Sequence, residues 1–282
     1  MLRSLLAAIT ATICVAVTSC TDSQWALRRC QARSWCASTD PAINLDLRIS
    51  GCTTLIQSGR ETQSNLAVAF DDRGNAYKAK GEIDRAIQDY DEAIRLKPDD
   101  AKAFLNRGTA YKAKGEIDRA IQDYDEAIRL EPYLTGAFLS RGNAYQVKGD
   151  YGRAIENYDQ AIYLKPDYAD AFNGRCWTRA IANKMLEVAL SDCDESLRLR
   201  PDDAYTLHSR GFVYFRMGRY DKAIADFDNS LTRDPKSADM LYTRGLAKRM
   251  YHDIAGGDAD IAAAKTIDAK VADRYAGYGV KP

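Results

Sequence analysis

Along most of this chain the apolar residues fall at helical spacing, in short stretches divided by polar turns. Ala86, Tyr90 and Ala93 share one side of a helix, as do Ala120, Tyr124 and Ala127, and then Ala154, Tyr158 and Ala161. Asp46 to Gln57 behaves likewise, with Ile49, Cys52, Leu55 and Ile56 on one side. These stripes predict a series of amphipathic helices, each of which needs a neighbour to bury its apolar face.

The stripes are periodic. Pro98, Pro132, Pro166, Pro201 and Pro235 are spaced by 34, 34, 35 and 34 residues. Units that start at Ala67, Ala101, Thr135, Ala169, Ala204 and Ala238 bring other landmarks into register. The eighth residue is Gly74, Gly108, Gly142, Cys176, Gly211 and Gly245. The eleventh is Tyr77, Tyr111, Tyr145 and Tyr214, with Arg179 and Lys248 in the fourth and sixth units. The twentieth is Ala86, Ala120, Ala154 and Ala223, with Ala189 displaced by one inserted residue. The twenty-fourth is Tyr90, Tyr124, Tyr158, Cys193 and Phe227, and the twenty-seventh Ala93, Ala127, Ala161, Ser196 and Ser230. Segments 76–96 and 110–130 are identical, which points to a recent duplication.

Sterics account for the landmarks. Each unit reads as two helices joined by a turn at Gly81, Gly115, Gly149 or Gly218, where glycine tolerates positive φ. Small residues at eight, twenty and twenty-seven let the helices approach, and the proline closes the second helix. Stacked units then bury a continuous core.

This period and these residues resemble the tetratricopeptide-repeat family over residues 67 to about 265. The resemblance implies an all-α fold, a right-handed superhelical solenoid of helix-turn-helix repeats with a concave groove. It also implies protein binding rather than catalysis. The organisation expected is an export signal at 1–20, a cysteine-containing N-terminal cap at 21–66, five repeats at 67–237, and a sixth, degenerate repeat with a C-terminal cap at 238–282. The sixth unit opens normally at Ala238 to Arg249; its second helix is expected around Asp258 to Ala272.

The first residues read as a targeting segment. Arg3 is followed by an uncharged run from Leu5 to Val17, shorter than the roughly 20 residues that span a bilayer. Ser19 can precede an ordinary cleavage site. Val17-Thr18-Ser19-Cys20 also resembles a bacterial lipobox, which would make Cys20 a lipidated first residue. Both endings stay open, and both imply export to the periplasm or envelope.

An oxidising compartment permits disulfides. The fourth unit replaces glycine eight by Cys176 and aromatic twenty-four by Cys193. These positions are equidistant from a turn near Asn183 and Lys184, so they face each other across the hairpin and predict a disulfide. Cys36 and Cys52 have the same separation as positions eight and twenty-four. Residues 29–62 therefore read as a degenerate hairpin pinned by Cys36–Cys52. Cys30 is left to pair with Cys20 or stay free. The competing reading makes all four paired positions reduced, small hydrophobes.

Every unit has arginine at position seven: Arg73, Arg107, Arg141, Arg175, Arg210 and Arg244. The five complete units have aspartate at twenty-five: Asp91, Asp125, Asp159, Asp194 and Asp228. Arginine favours fixed, paired contacts with carboxylates, so a ladder of ion pairs is expected, within units or between them. An anion-binding track is the alternative.

In the family the first helix of each unit lines the concave face. Carried onto this sequence, the first three units give a polar wall including Asp71, Asn75, Lys78, Asn106, Thr109 and Lys112. The last three give an aromatic one: Trp177, Tyr205, His208, Phe212 and Phe215, with Arg216, Tyr242, Leu246, Arg249 and Met250. The aromatic half is the expected seat of a peptide or partner helix. The alternative is that these side chains pack between units or under the tail, where Tyr275 and Tyr278 could enter the groove. The carboxylate clamp of chaperone-binding relatives is absent, since Asp71 and Leu105 stand at position five.

Composition narrows the function. Lys plus Arg and Asp plus Glu are 40 each, a balance that gives no attraction to nucleic acid or an anionic bilayer. The sequence shows no nucleophile–base arrangement, phosphate loop or metal spacing, so no catalytic, cofactor or metal site is expected. The expected function is an envelope scaffold for protein contacts, or a lipid-anchored accessory factor for outer-membrane or pilus assembly.

Overall fold

The computed structural model describes residues 23–38, 40 and 43–280. The expected export signal and its Cys20 lie outside them. The described residues form fifteen helices and no strand. Helices α1 (Ser23–Cys36) and α2 (Leu45–Gln57) make an N-terminal hairpin. The next hairpins are α3 (Gln63–Ala79) with α4 (Ile83–Leu96), and α5 (Ala101–Ala113) with α6 (Ile117–Leu130). Four more follow: α7 (Thr135–Val147) with α8 (Tyr151–Leu164), α9 (Ala169–Ile181) with α10 (Leu186–Leu199), α11 (Ala204–Arg216) with α12 (Tyr220–Leu231), and α13 (Ala238–Met250) with α14 (Ile254–Ile267). A short α15 (Val271–Gly277) ends the described chain. None of these helices is long and apolar enough to cross a membrane.

From the second unit on, each first helix starts at the residue the period assigns to it. The first unit differs. Its helix α3 begins at Gln63 rather than Ala67, because the Thr62 side chain accepts from the Asn65 amide and caps the helix there. The sixth unit also departs from expectation. Its second helix is Ile254–Ile267, not Asp258 to Ala272, and residues 271–277 belong to α15. Asp253 caps α14 by accepting from the Gly256 amide. Gly257, inside this helix, is a contact point: a Cβ there would lie 2.6 Å from the Gly245 carbonyl oxygen of α13.

The chain divides into two compact units, one ending at Leu134 and the other starting at Thr135. Within each, hairpin stacks on hairpin. First helices touch the first helices of adjoining repeats: α3 meets α5 in the first unit, and α7 meets α9, α9 meets α11 and α11 meets α13 in the second. Among the described residues no such contact joins second helices of adjoining repeats. The first helices therefore form the tighter, inner wall of each unit.

The core explains the landmarks at eight and twenty-four. Tyr90, Tyr124, Tyr158 and Phe227 are fully buried, and each ring lies against the glycine of the facing helix. A Cβ on Gly108 would sit 2.7 Å from the Tyr124 ring. The fourth repeat changes both partners at once: Cys176 and Cys193 form a disulfide with Cα atoms 5.5 Å apart. Asn183, with φ 52°, makes that repeat's turn in place of glycine, which asparagine tolerates. Cys36 and Cys52 form a second disulfide between α1 and α2. Cys30 is itself disulfide-bonded, which removes the free-thiol alternative for it.

Candidate functional site

The arginine at position seven is engaged within the fold. Arg107 donates from Nε and Nη2 to Asp123 of its own repeat and from Nη1 to Asp91 of the preceding one, at 2.9, 2.7 and 2.7 Å. Arg175, Arg210 and Arg244 repeat the arrangement with Asp192 and Asp159, Asp226 and Asp194, and Asp260 and Asp228. The aspartate at twenty-five thus bridges repeats, while a second carboxylate at twenty-three holds the arginine within its hairpin. Arg141 donates to Asn157 at this second position. Arg73 reaches Thr53 of α2 where other units offer the bridging aspartate, so the ladder extends into the N-terminal hairpin. The two units lacking Tyr at position eleven send a cation to the same inner carboxylate: Arg179 to Asp192 and Lys248 to Asp260. Such fixed guanidinium–carboxylate pairs leave no open anion track along this row.

The expected aromatic seat in the second unit is occupied by the chain itself. Helix α15 and the residues after it lie on the inner wall, with Val271, Tyr275 and Val280 buried in the same core cluster as Phe212, Tyr242 and Leu246. The Tyr275 ring is 5.3 Å from Tyr242 and 5.7 Å from Phe212. Tyr278 meets Trp177 edge-on at 6.0 Å, and its carbonyl accepts from Arg216. Phe215 stacks on Phe212. His208 lies beneath, its Nε2 within 3.4 Å of the Tyr275 hydroxyl and 3.2 Å of Thr243 Oγ1. Burial holds the imidazole pKa down to about 4 and pushes the Tyr275 phenol up.

The expectation of a free aromatic groove is corrected accordingly. Phe212, Tyr242, Leu246 and His208 are buried, because two tail tyrosines bring enough apolar ring surface to fill the space between three first helices. Trp177, Phe215 and Arg216 remain at its half-covered margin. Tyr205 is exposed and outside the cluster, and Arg249 pairs with Asp258 of α14.

The inner wall of the first unit is polar. Asp71 accepts from the side-chain amides of Asn75 and Asn106 at 3.0 and 2.9 Å, and the Tyr90 hydroxyl donates to Asn75. Lys78 and Lys112 lie half-buried on the same wall. Behind it, Glu61 takes hydrogen bonds from Arg29, Arg33 and Asn65, which hold its carboxyl at about 2. Asp72, beside the Cys36–Cys52 bridge, is pushed up to about 6 by burial. Among the described residues no group of His, Cys, Asp and Glu is arranged to hold a metal ion.

Sequence reasoning missed the carboxylate at twenty-three. Its signal was available, since Asp89, Asp123, Asn157, Asp192, Asp226 and Asp260 recur as regularly as the series at twenty-five.

Three family models match parts of the chain. One is described as a TPR repeat and covers residues 74–115; two described as tetratricopeptide repeat cover 178–248, and 101–134 with 137–168. The sequence matches no curated protein. Among solved structures, a tetratricopeptide repeat protein from Parabacteroides merdae is similar at TM-score 0.67 and 18% identity, over 84% of this chain and 93% of that one. PilF of Pseudomonas aeruginosa is similar at 0.63 and 15%, over 77% and 99%. PilW, described as a widely conserved type IV pilus biogenesis factor, is similar at 0.64 and 15%, over 71% and 93%. At these identities the likeness is one of fold.

Proposed function

Because the chain belongs to the tetratricopeptide-repeat family, we propose that it is a non-catalytic scaffold of the bacterial cell envelope that holds a peptide or partner helix against its inner wall. The observation that carries this reading is α15. A short helix carrying Tyr275, followed at once by Tyr278, already sits on Trp177, Phe212 and Tyr242, so this wall has the shape and chemistry to hold one. A partner segment of the same kind would take the place of the tail, and Trp177, Phe215 and Arg216 at the half-covered margin are where it would first make contact. Two disulfides within hairpins are consistent with export.

The test uses a labelled peptide spanning residues 268–280. The intact protein should bind it weakly, since the site is filled in cis. Full-length protein carrying Tyr275→Ala and Tyr278→Ala should bind it tightly, and adding Trp177→Ala should abolish that gain. Equal binding by all three proteins would remove the groove from consideration.

A second reading, the lipid-anchored accessory factor, is favoured by Val17-Thr18-Ser19-Cys20; it requires that Cys30 bond to a cysteine other than Cys20, because a lipidated sulfur cannot also form a disulfide. Labelled palmitate should enter the protein in a bacterial host and fail to enter a Cys20→Ser variant. Labelling of both, or of neither, rejects the anchor.

A further inference from the structure

Lys78 and Lys112 occupy equivalent places at the ends of α3 and α5, within two stretches of identical sequence. Their surroundings differ at position five, which is Asp71 in one repeat and Leu105 in the next. Burial makes both ammonium groups less basic; Asp71 offsets this for Lys78, and among the described residues no carboxylate offsets it for Lys112. Lys112 is exceptional in its segment. Lys80 pairs with Asp46 and Glu82, Lys114 with Asp84 and Glu116, and Arg119 with Glu116. A half-buried ammonium without a counter-charge destabilises the free protein, and an arriving carboxylate relieves that cost.

We propose that the inner wall of the first unit binds an acidic segment of a partner protein, with Lys112 as the principal ion-pairing group and Lys78 as the second. The two lysines stand one repeat apart on adjoining helices, which suits a chain bearing several carboxylates. Asp71, the acidic group beside them, is already engaged within the wall, where Asn75 and Asn106 donate to it at 3.0 and 2.9 Å. This wall is distinct from the one under α15, so the fate of the aromatic groove does not decide it.

The probe is a labelled peptide of alternating Glu and Gly, with an alternating Gln and Gly peptide as its neutral counterpart. The full-length protein should bind the Glu peptide, less so as salt is added, and should not bind the Gln peptide. Lys112→Met should weaken binding by about tenfold or more and raise the melting temperature, because it removes a half-buried, uncompensated charge. Lys114→Met, at a paired and more exposed cation, should change binding less than about twofold. Unchanged binding by Lys112→Met, an equal loss in Lys114→Met, or no binding of the Glu peptide by the unmodified protein would each overturn the proposal. Displacement of the peptide from Lys112 by phosphatidylglycerol vesicles would overturn it in favour of a membrane.

Discussion

Arg210 holds Asp226 through two parallel hydrogen bonds, from Nε and Nη2, each 2.8 Å long. The pair spans one hairpin, and the third nitrogen, Nη1, reaches Asp194 of the hairpin before it at 2.9 Å. The two carboxylates differ in setting. The Asp226 side chain is 8% exposed, that of Asp194 52%. Replacing Asp226 by Asn should leave the guanidinium without its buried counter-charge and cost about 2 kcal/mol. Asp194→Asn should cost about 0.5 kcal/mol. Urea unfolding of the two variants checks the order; equal losses would mean that burial does not set the strength of the ladder.

How much of this was legible in sequence depends on whether a residue's role repeats. The helix starts at Ala101, Thr135, Ala169, Ala204 and Ala238 were readable because the same steric problem recurs in every unit. The contact between Cys176 and Cys193 followed from hairpin symmetry. The ladder was half readable: Asp228 was in view, but its arginine could have paired within or between repeats, and only packing settles that. Tyr275 was readable only as one of two alternatives for the groove, a tail residue that could enter it. It occurs once, outside the period, and its partners Phe212 and Tyr242 come from helices far away in sequence. The second helix of the sixth unit, expected from Asp258, starts at Ile254, so Gly257 lies inside it at the close approach of α13.

Two glycines in helices should respond to alanine with opposite signs. On helix propensity alone either change gains up to about 1 kcal/mol. Gly152 has open space, with its nearest neighbour 3.8 Å from the added carbon, so Gly152→Ala should stabilise by about 0.5 kcal/mol. At Gly108 the new carbon would lie 2.7 Å from the Tyr124 ring and 3.1 Å from the Ala120 carbonyl. The ring is fully buried and cannot swing away, so Gly108→Ala should destabilise by about 2 kcal/mol. Thermal melts of the two proteins read the signs directly.

The disulfide of the fourth repeat stands where other repeats place a glycine and an aromatic ring, which gives its removal two distinct outcomes. Cys176→Ala with Cys193→Ala loses a cross-link over a separation of 17 residues, about 3 kcal/mol in the chain-entropy model, and adds a packing loss. Cys176→Gly with Cys193→Tyr restores the pair used in the first three repeats and should lose less. Chemical unfolding that ranks the second protein at or below the first would show that this repeat has adapted its backbone to the bridge.

Acidification should act through His208 and Asp72 with opposite signs. His208 lies among Thr243, Tyr275 and Asp239, the last also paired with Arg274 at 3.1 Å. Its pKa is about 4 in the fold against an ordinary 6.5. Between those values the unfolded chain binds the extra proton, so His208 makes the protein less stable as pH falls from 6.5 toward 4, and has no effect above that window. Asp72 works the other way. Burial and the neighbouring Asp71 raise it to about 6 from 3.8, while Arg48 pulls it down less. In that interval the folded chain binds the extra proton, so this group favours the fold increasingly as pH falls toward 3.8. The unmodified protein sums both slopes. His208→Gln should therefore lose less stability on acidification than the unmodified protein, and Asp72→Asn should lose more. Urea midpoints measured from pH 4 to 7 separate the two, and parallel curves for all three proteins would contradict both assignments.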